Sequence, residues 1–560
     1  MTIETFFEKF DLFADAPDAV AKMRELVLNL AVQGKLSYQD LNDESAHTLL
    51  GRIKKTKERL VSERKIKRQD TNTYLENDAP YPVPDSWVWT RLGEIGDWGS
   101  GSTPARGNPE YYDGGIIWLK SGELNDNQAL TGSEETVSEL AVKTCSFRRN
   151  QPGDILLAMY GATIGKVAIL AEPAVTNQAV CGCTPFEGVL NRYLFNFLVS
   201  QRSRFHAVSE GGAQPNISKV KIVTFPFPLP PLAEQKRIVA KVDELTALCD
   251  RLAQQQEERE TRHAALARAS LSRFSAAPTV SNLQFLFHPS YAIPPADLRK
   301  SILTLAVQGK LVPQDPNDEP AIKLLEKIDR EPKRVIRTRA VEDSEGKTPS
   351  ELQPPFKIPE GWKWTQFRRL PLQTSVGIDR GRSMQGPDKA VGYFKMNNIR
   401  NSGGVDLSDL TRIDATSEEV ETFALADGDF LFNTRNSREL VGKTCVFRPP
   451  STDPVLYNNN ILRAKFIEGF SPDFLDYWFR SPQGSAGLEK LKSNTTNVCA
   501  IYQGKLSGFP CPIPPLAEQR RIVAKVNELM VLVDALETHL ASARATAASL
   551  LTAALVELTR

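Results

Sequence analysis

The sequence is poor in the residues that build metal, redox and cross-linked sites. It has seven cysteines and five histidines in 560 residues. The only close cysteine pair is Cys181 and Cys183. Sparse cysteine without paired spacing points to a reducing cytoplasm and to no structural zinc. The histidines fall into no ligand spacing, and His206, alone on an apolar helix, reads as a packing residue. No run of about 18 apolar residues occurs, so no membrane span is expected. The opening "MTIETFFEKFDLFADAPD" carries acidic residues early and lacks a long apolar stretch, unlike a secretory signal. An excess of either charge is also missing, with 69 Lys+Arg against 68 Asp+Glu. That balance argues against a uniformly basic nucleic-acid coat and leaves room for a segregated basic face. Two stretches are locally basic. Residues 51–70 hold nine Lys/Arg against three Asp/Glu, and residues 326–340 hold six against three. Each reads equally as a solvated helix face or as a grip on phosphate.

What the chain does have is ordinary globular composition, 41% hydrophobic and 24% charged, at a length that calls for more than one domain. It also has an internal duplication. "ELVLNLAVQGKLSYQDLNDESA" (25–46) matches "KSILTLAVQGKLVPQDPNDEPA" (300–321) at an offset of 275, and "VPDSWVWTRL" (83–92) matches "IPEGWKWTQF" (358–367) at the same offset. "PLPPLAEQKRIVAKVDEL" (228–245) returns as "PIPPLAEQRRIVAKVNEL" (512–529), offset by 284. A period this long excludes a solenoid and means two copies of a domain plus a connector.

The connectors carry a heptad seam. Apolar residues fall at Ile238, Val242, Leu245, Cys249 and Leu252, and again at Ile522, Val526, Leu529, Val533, Leu536 and Leu540. Steps of four and three mark one helix face that needs a partner. The prolines ahead of each stripe mark the helix starts. The expected arrangement is an antiparallel two-helix pair in which Val242 and Leu245 meet Val526, Leu529 and Val533. Each helix, of roughly 40 residues at ~1.5 Å per residue, spans ~60 Å. The chain ends in "ASLLTAALVELTR", which begins like the repeated "LAVQGKL" helix, while a full copy of that helix stands near the N-terminus. The arrangement is therefore read as circular, with adjacent termini.

The segments read as 1–80, an N-terminal helical segment; 81–229, a first body; 230–275, a central helix; 276–355, a connector with the repeated segment; 356–513, a second body; and 514–560, a final helix. Both bodies open on a Trp-x-Trp pair, Trp87/Trp89 and Trp362/Trp364. Both mix β-rich runs such as "DILLAM" with helical runs such as "RYLFNFLVSQ", so each reads as a mixed α+β domain.

Catalytic motifs are broken. "NPEYY" (Asn108–Tyr112) resembles the Asn-Pro-Pro-Tyr loop of amino-methyltransferases but lacks the second proline, and no glycine-rich S-adenosylmethionine loop follows a strand. "SRELVGKT" (Ser437–Thr444) resembles a phosphate loop without its first glycine. No catalytic or metal-binding residues are assigned. What remains is polar decoration of loops, of the kind that bonds base edges and phosphates. In the first body the candidates are Ser102, Thr103 and Arg106, then Lys120, Tyr160, Gln214 and Asn216. In the second they are Arg380 and Arg382, then Lys395, Asn397 and Asn398, then Arg435, Asn436 and Arg438, and Thr496. Arg380, Arg382, Arg435 and Arg438 are the foremost candidates for bidentate pairing with guanine.

The "PLPPLAEQ" helix start, the Trp-x-Trp opening, the "GGAQPNIS" loop before the proline stop and the "LAVQGKL" helix end resemble the specificity subunit of type I DNA restriction–modification systems, over nearly the whole chain. The resemblance implies an α+β protein: two similar target-recognition domains separated by a long antiparallel two-helix coiled coil, in a pseudo-twofold circular arrangement. It implies that each domain reads one half of a bipartite, asymmetric site in double-stranded DNA and that the helices fix the gap. It implies a non-catalytic chain working in the cytoplasm with two modification subunits and with restriction subunits. S-adenosylmethionine, ATP and Mg2+ are then expected in those partners and no cofactor in this chain. The alternative from the residues alone is a two-domain protein-interaction adaptor on a coiled-coil strut. A stand-alone enzyme is disfavoured because the halves share no polar constellation at matched positions.

Overall fold

The computed structural model describes residues 3–69, 79–210, 215–288, 291–336, 354–401, 403–449, 453–494 and 499–559. The chain forms two units. One comprises Met1–Arg259 with Ala543–Arg560, the other Glu260–Ser542. The first unit thus gathers segments from both ends of the chain, as the circular reading expects.

In the first unit, helix α1 (Ala19–Val32) buries Met23, Leu26, Val27 and Leu30 along one stripe. It stops at Gly34, whose φ of +72° favours glycine. A Cβ there would lie 2.5 Å from the ring of Pro84. The repeated "LAVQGKL" therefore encodes a helix stop that accepts the proline preceding the Trp-x-Trp pair. Strand β1 (Val88–Arg91) carries Trp89 and pairs antiparallel with the last strand of the body. Between them come β2 (Gly96–Ser100), β3 (Tyr112–Leu119), β4 (Asn127–Leu130), β5 (Ile155–Ala158), β6 (Val167–Leu170), β7 (Val175–Thr176) and β8 (Val180–Pro185). Helix α2 (Asn191–Ser200) and strand β9 (Pro226–Leu229) complete the body. Five of these strands form one sheet in the order β2-β8-β5-β6-β4. Cys181 and Cys183, two apart on β8, are buried free thiols in the core. Burial pushes the Cys181 thiol up to about 12. Pro226 and Pro228 sit on β9, opposite Arg91 and Trp89. Prolines lack the N–H that a further neighbouring strand would need, which keeps this ladder two-stranded.

Helix α3 (Leu232–Ala276) follows directly, and its first part belongs to this unit. In the second unit, α4 (Pro295–Val307) repeats α1 and ends on Gly309 at φ +67°, with Pro359 2.4 Å from a built Cβ. The second body includes β10 (Lys363–Gln366), β11 (Gln373–Val376), β12 (Val391–Phe394), β13 (Phe430–Asn433), β14 (Thr444–Val446), β15 (Val455–Tyr457), β16 (Ile461–Lys465), α5 (Pro472–Arg480) and β17 (Pro510–Ile513). The two-stranded ladder recurs as β10 against β17. The sheet keeps the four-strand core β11-β16-β13-β14, equivalent to β2-β8-β5-β6. Its fifth strand, residues 334–336, is added beside β11, at the opposite edge from the β4 position. The bodies share a frame and diverge at its edges. The mixed α+β class read from the sequence is the one observed.

The last helix, α6 (Leu516–Thr559), divides between the units as α3 does. This sets the partners of the heptad seam and corrects one expectation. Ile238, Val242, Leu245 and Cys249 are buried in the core of the first unit together with Ala547 and Leu551, with Leu252 packed against it. Ile522, Val526, Leu529 and Val533 are buried in the second unit's core with Ala267 and Phe274, with Leu536 at its margin. Val526, Leu529 and Val533, the expected partners of Val242 and Leu245, thus belong to the other unit's core. The start of each helix shares a core with the end of the other, because each body captures the helix that leaves it.

The stretches ahead of α1 and α4 each join a core. Phe6, Phe10 and Phe13 join the first core, and Gln256 of α3 donates to the Ala14 carbonyl at 3.2 Å. Leu286, Tyr291 and Ile293 join the second core, with Ser270 and Tyr291 sharing a hydroxyl hydrogen bond of 2.5 Å. The segment after α3 thus packs into the second core, as the residues ahead of α1 pack into the first. His206 departs from its expected role: it is exposed, and its neighbour Phe205 takes the inward position. The basic residues of 51–62 lie on a helix that buries Leu49, Leu50 and Ile53; Arg52, Lys54, Lys55 and Arg59 are exposed, and Lys57 pairs with Glu94 at 2.9 Å. Residues 337–340 of the second basic run lie outside the described residues.

Candidate nucleic-acid interface

The repeated helix start builds a buried polar hub in each unit. Glu234 is 1% exposed. It accepts the Trp87 indole N–H at 2.8 Å, the Gln39 amide at 2.6 Å and the Ser37 hydroxyl at 3.1 Å. Glu518, also 1% exposed, accepts Trp362 at 2.8 Å and Gln314 at 2.5 Å. Burial raises both carboxyls above the usual range, against the opposing pull of these donors. The next residue ties in the body: Gln235 Oε1 accepts the Leu190 N–H at 2.9 Å and Gln519 Oε1 accepts the Ser471 N–H at 3.0 Å, just before α2 and α5. Arg237 pairs with Asp43 and Arg521 with Asp318, both at 2.6 Å. The "LAEQ" glutamate and glutamine therefore fasten the helix start to the Trp-x-Trp strand and to the body.

The candidate loops in each body leave neighbouring strand ends of two sheets. In the first body Ser100 pairs with Cys181, Ala158 with Val180 and Leu119 with Thr176. The loops leaving β2, β3, β5 and β7 therefore emerge side by side. The main chain of 215–217 joins them, since Tyr160 and Asn216 form a bridge and Gly161 donates to the Pro215 carbonyl at 2.8 Å. In the second body Val376 pairs with Leu462, Asn433 with Ile461 and Phe394 with Tyr457. The candidate residues sort onto these strand ends.

In the first body, Arg106 and Lys120 meet at Glu135. Arg106 reaches it with two nitrogens, at 2.7 and 3.3 Å, and Lys120 Nζ lies at 2.5 Å. The two cations hold the Glu135 carboxyl down at about 2. Arg106 lies over the rings of Tyr112 and Trp118, at 5.0 and 5.4 Å from their centroids. Thr103 is exposed and its hydroxyl accepts the Gln178 N–H at 3.5 Å. The Ser102 carbonyl accepts the Trp118 indole at 3.2 Å. Tyr160 is 42% exposed beside exposed Asn216. Gln214 lies outside the described residues.

In the second body, Arg380 pairs with Glu419 at 2.5 Å, and Gln385 links its carbonyl to the Lys395 amine, at 2.7 and 3.3 Å. Arg438 pairs with Glu489 at 2.6 Å. Arg382 and Arg435 are exposed and form no ion pair among the described residues. Asn436 turns its side-chain oxygen to the Ser437 N–H at 2.8 Å. Asn397 is exposed. Asn398 is not a surface group: it is 2% exposed, and its amide bonds the Lys395 N–H and the Asp406 carbonyl, both at 2.8 Å. It holds the loop that presents its neighbour. Thr496 lies outside the described residues.

The strand ends also share polar positions, against the expectation that they share none. Lys120 and Lys395, 275 residues apart, each end a strand and have their N–H bonded three residues on, by Glu123 at 2.6 Å and Asn398 at 2.8 Å. The turns Asn177–Ala179 and Asn458–Asn460 match as well, and sequence reading passed over both. The broken motifs have structural roles. Asn108 caps a short turn by accepting the Glu110 N–H at 3.2 Å. The buried Thr444 hydroxyl donates to Asp476 at 2.6 Å. Among the described residues no group of three His, Cys, Asp or Glu is placed to hold a metal ion.

The family model for a type I restriction modification DNA specificity domain matches residues 84–260, the first body and the start of α3. The type I restriction enzyme EcoAI specificity subunit of Escherichia coli is 28% identical over 96% of this chain and 92% of its own length. The EcoEI specificity subunit of the same species is 26% identical over 96% and 93%. A solved structure of the HsdS subunit from Thermoanaerobacter tengcongensis covers 86% of this chain and 98% of its own, at 18% identity and a TM-score of 0.43. Over nearly its whole length the chain is similar to the specificity subunits of type I restriction–modification systems.

Proposed function

We propose that this chain is the DNA-reading component of its complex, and that each unit reads one half of a bipartite, asymmetric site in double-stranded DNA. The observation that carries this reading is a duplication: the same strand ends present polar loops in both bodies, with different side chains on a common frame. Different loops on one frame are what two different half-sites require. Helices α3 and α6, of 45 and 44 residues, are about 67 Å long at ~1.5 Å per residue and set the gap between half-sites. Neighbouring half-sites read from one face of B-DNA lie ~34–36 Å apart, well within that length.

The chemistry belongs to partners. Two modification subunits bind S-adenosylmethionine and methylate adenine, and restriction subunits use ATP and Mg2+ to cleave. This chain contributes no catalytic group and works in the cytoplasm. No helix among the described residues is long and apolar enough to cross a membrane. With a net charge of only +1, much of the phosphate grip falls to the partners and to local cations such as Arg382 and Arg435. The test is reconstitution of the full chain with its modification subunits on random-sequence duplexes. Methylation confined to two short specified stretches around a fixed unspecified gap supports the reading. Methyl transfer by the isolated chain, or methylation without sequence preference, contradicts it.

A further inference from the structure

The polar side chains at the strand ends of the two bodies are of two kinds. Arg106, Lys120, Arg380 and Arg438 are held by carboxylates of their own body. Gln178 and Asn459 differ: neither side chain has a hydrogen-bond partner among the described residues. Gln178 is exposed and Asn459 half-buried.

The two occupy the same place in a duplicated turn. Asn177 Oδ1 accepts the Ala179 N–H at 3.1 Å, and Asn458 Oδ1 accepts the Asn460 N–H at 2.9 Å. Asn177 donates to the Leu119 carbonyl and Asn458 to the Phe394 carbonyl, both at 2.9 Å. From the other side the chain leaving β2 or β11 crosses in contact. A Cβ on Gly101 would lie 2.1 Å from the Thr176 carbonyl oxygen, and one on Gly377 1.9 Å from that of Tyr457. Ser102 and Ile378 donate to those same oxygens at 2.9 Å. The main chain of each turn is bonded before, after and across. Its central residue is therefore fixed in position, while its side chain is free at the strand ends where the candidate cations gather.

An amide on a rigid turn is suited to reading bases rather than gripping phosphates. It carries no charge, and its donor and acceptor sit side by side, matching N7 and the N6 amino group of adenine in the major groove. We infer that Gln178 and Asn459 are specificity-determining residues, each reading an adenine in the half-site of its own unit. This rests on the proposed bipartite reading.

The experiment uses the full chain with its modification subunits, selected against a pool of random-sequence duplexes that is then sequenced. Gln178→Ala should lose preference at one position of one half-site, by on the order of 5- to 150-fold, and Asn459→Ala at one position of the other. Gln178→Glu and Asn459→Asp should move that position from adenine towards cytosine, whose N4 amino group a carboxylate accepts. Unchanged specificity in both alanine variants overturns the inference, and so does uniform weakening across all positions, which marks a phosphate or packing role. A wild-type selection that yields no bipartite motif fails the proposed function itself, and is distinguished by being read before any variant is compared.

Discussion

The indole N–H of Trp87 donates to the buried carboxylate of Glu234 at 2.8 Å, and Trp362 repeats this with Glu518 at 2.8 Å. The first pair is 147 residues apart in sequence and the second 156. This contact explains why the chain carries the same proline stop and helix start twice. Each body is inserted between a tryptophan and a glutamate that must find each other, and the insertion is free to vary as long as they do.

The first prediction follows from that burial. Both glutamates are raised above the ordinary carboxyl range, with burial the leading cause. A raised acid keeps a proton in the folded state that the unfolded chain has already lost. Its contribution to stability is therefore greatest below the ordinary glutamate pKa and falls as pH rises through the raised one. Glu234→Gln with Glu518→Gln removes this slope. The denaturation midpoint of the wild type minus that of the double variant should fall from pH 4 to pH 8, and a rising difference contradicts the assignment. Trp87→Phe, which strips a donor from the buried carboxylate, should cost about 1–3 kcal/mol.

The second prediction concerns the long helices. Leu245 and Leu529 are 4% and 0% exposed and lie in different cores. Leu245→Asp should cost several kcal/mol, since it buries an unpaired charge, and should release hydrogen-exchange protection in 1–259 and 543–560. Leu529→Asp should do so in 260–542. Alanine at both positions should cost the sum of the single changes. A coupling above about 0.5 kcal/mol would mean that the two leucines touch after all.

How much of this was legible in the sequence can be judged from particular residues. The duplication was, because "LAVQGKL" and "PPLAEQ" are encoded by chemistry that tolerates few substitutes: a left-handed glycine against a proline ring, and a buried glutamate with its own donors. The inward face of the long helices was also legible, from steps of four and three. Their partners were not, because a heptad stripe names a face and leaves its register to whatever packs on it, here the two bodies. Loop composition picked out loops at the shared strand ends but not their inward and outward sides, so Asn397 and Asn398 looked alike although only Asn398 is buried. Gln178 and Asn459 were hidden inside "VTNQAV" and "LYNNNI", at an offset of 281 instead of 275, where only the shared turn aligns them.

The third prediction concerns the carboxylates that guard the cations. Glu135 engages both Arg106 and Lys120. Glu135→Gln frees two positive groups for phosphate. Each phosphate contact steepens the dependence of log K on log salt by ~0.9, so non-specific affinity should rise at low salt and the slope should steepen by about 1–2. An unchanged slope would place Arg106 and Lys120 away from the DNA.

The fourth prediction concerns the gap. One heptad inserted after Leu252 and another after Leu536 lengthens both helices between the residues that join their two cores. Seven residues keep the seam in phase and add ~10 Å at ~1.5 Å per residue, which is roughly three base pairs at ~3.4 Å per step. The extended protein should keep both half-site sequences and prefer a longer gap on duplexes with stepped spacers. Retention of the original gap by a well-folded variant would remove the helices from the role of ruler.

The most direct test of the account is whether the units read separately. Arg382 and Arg435, exposed and unpaired among the described residues, are replaced by alanine in the full chain. Methylation by the reconstituted complex is then read on duplexes randomised in both half-sites. The account predicts changed or lost preference in one half-site and the wild-type preference in the other. Equal change in both halves would contradict it.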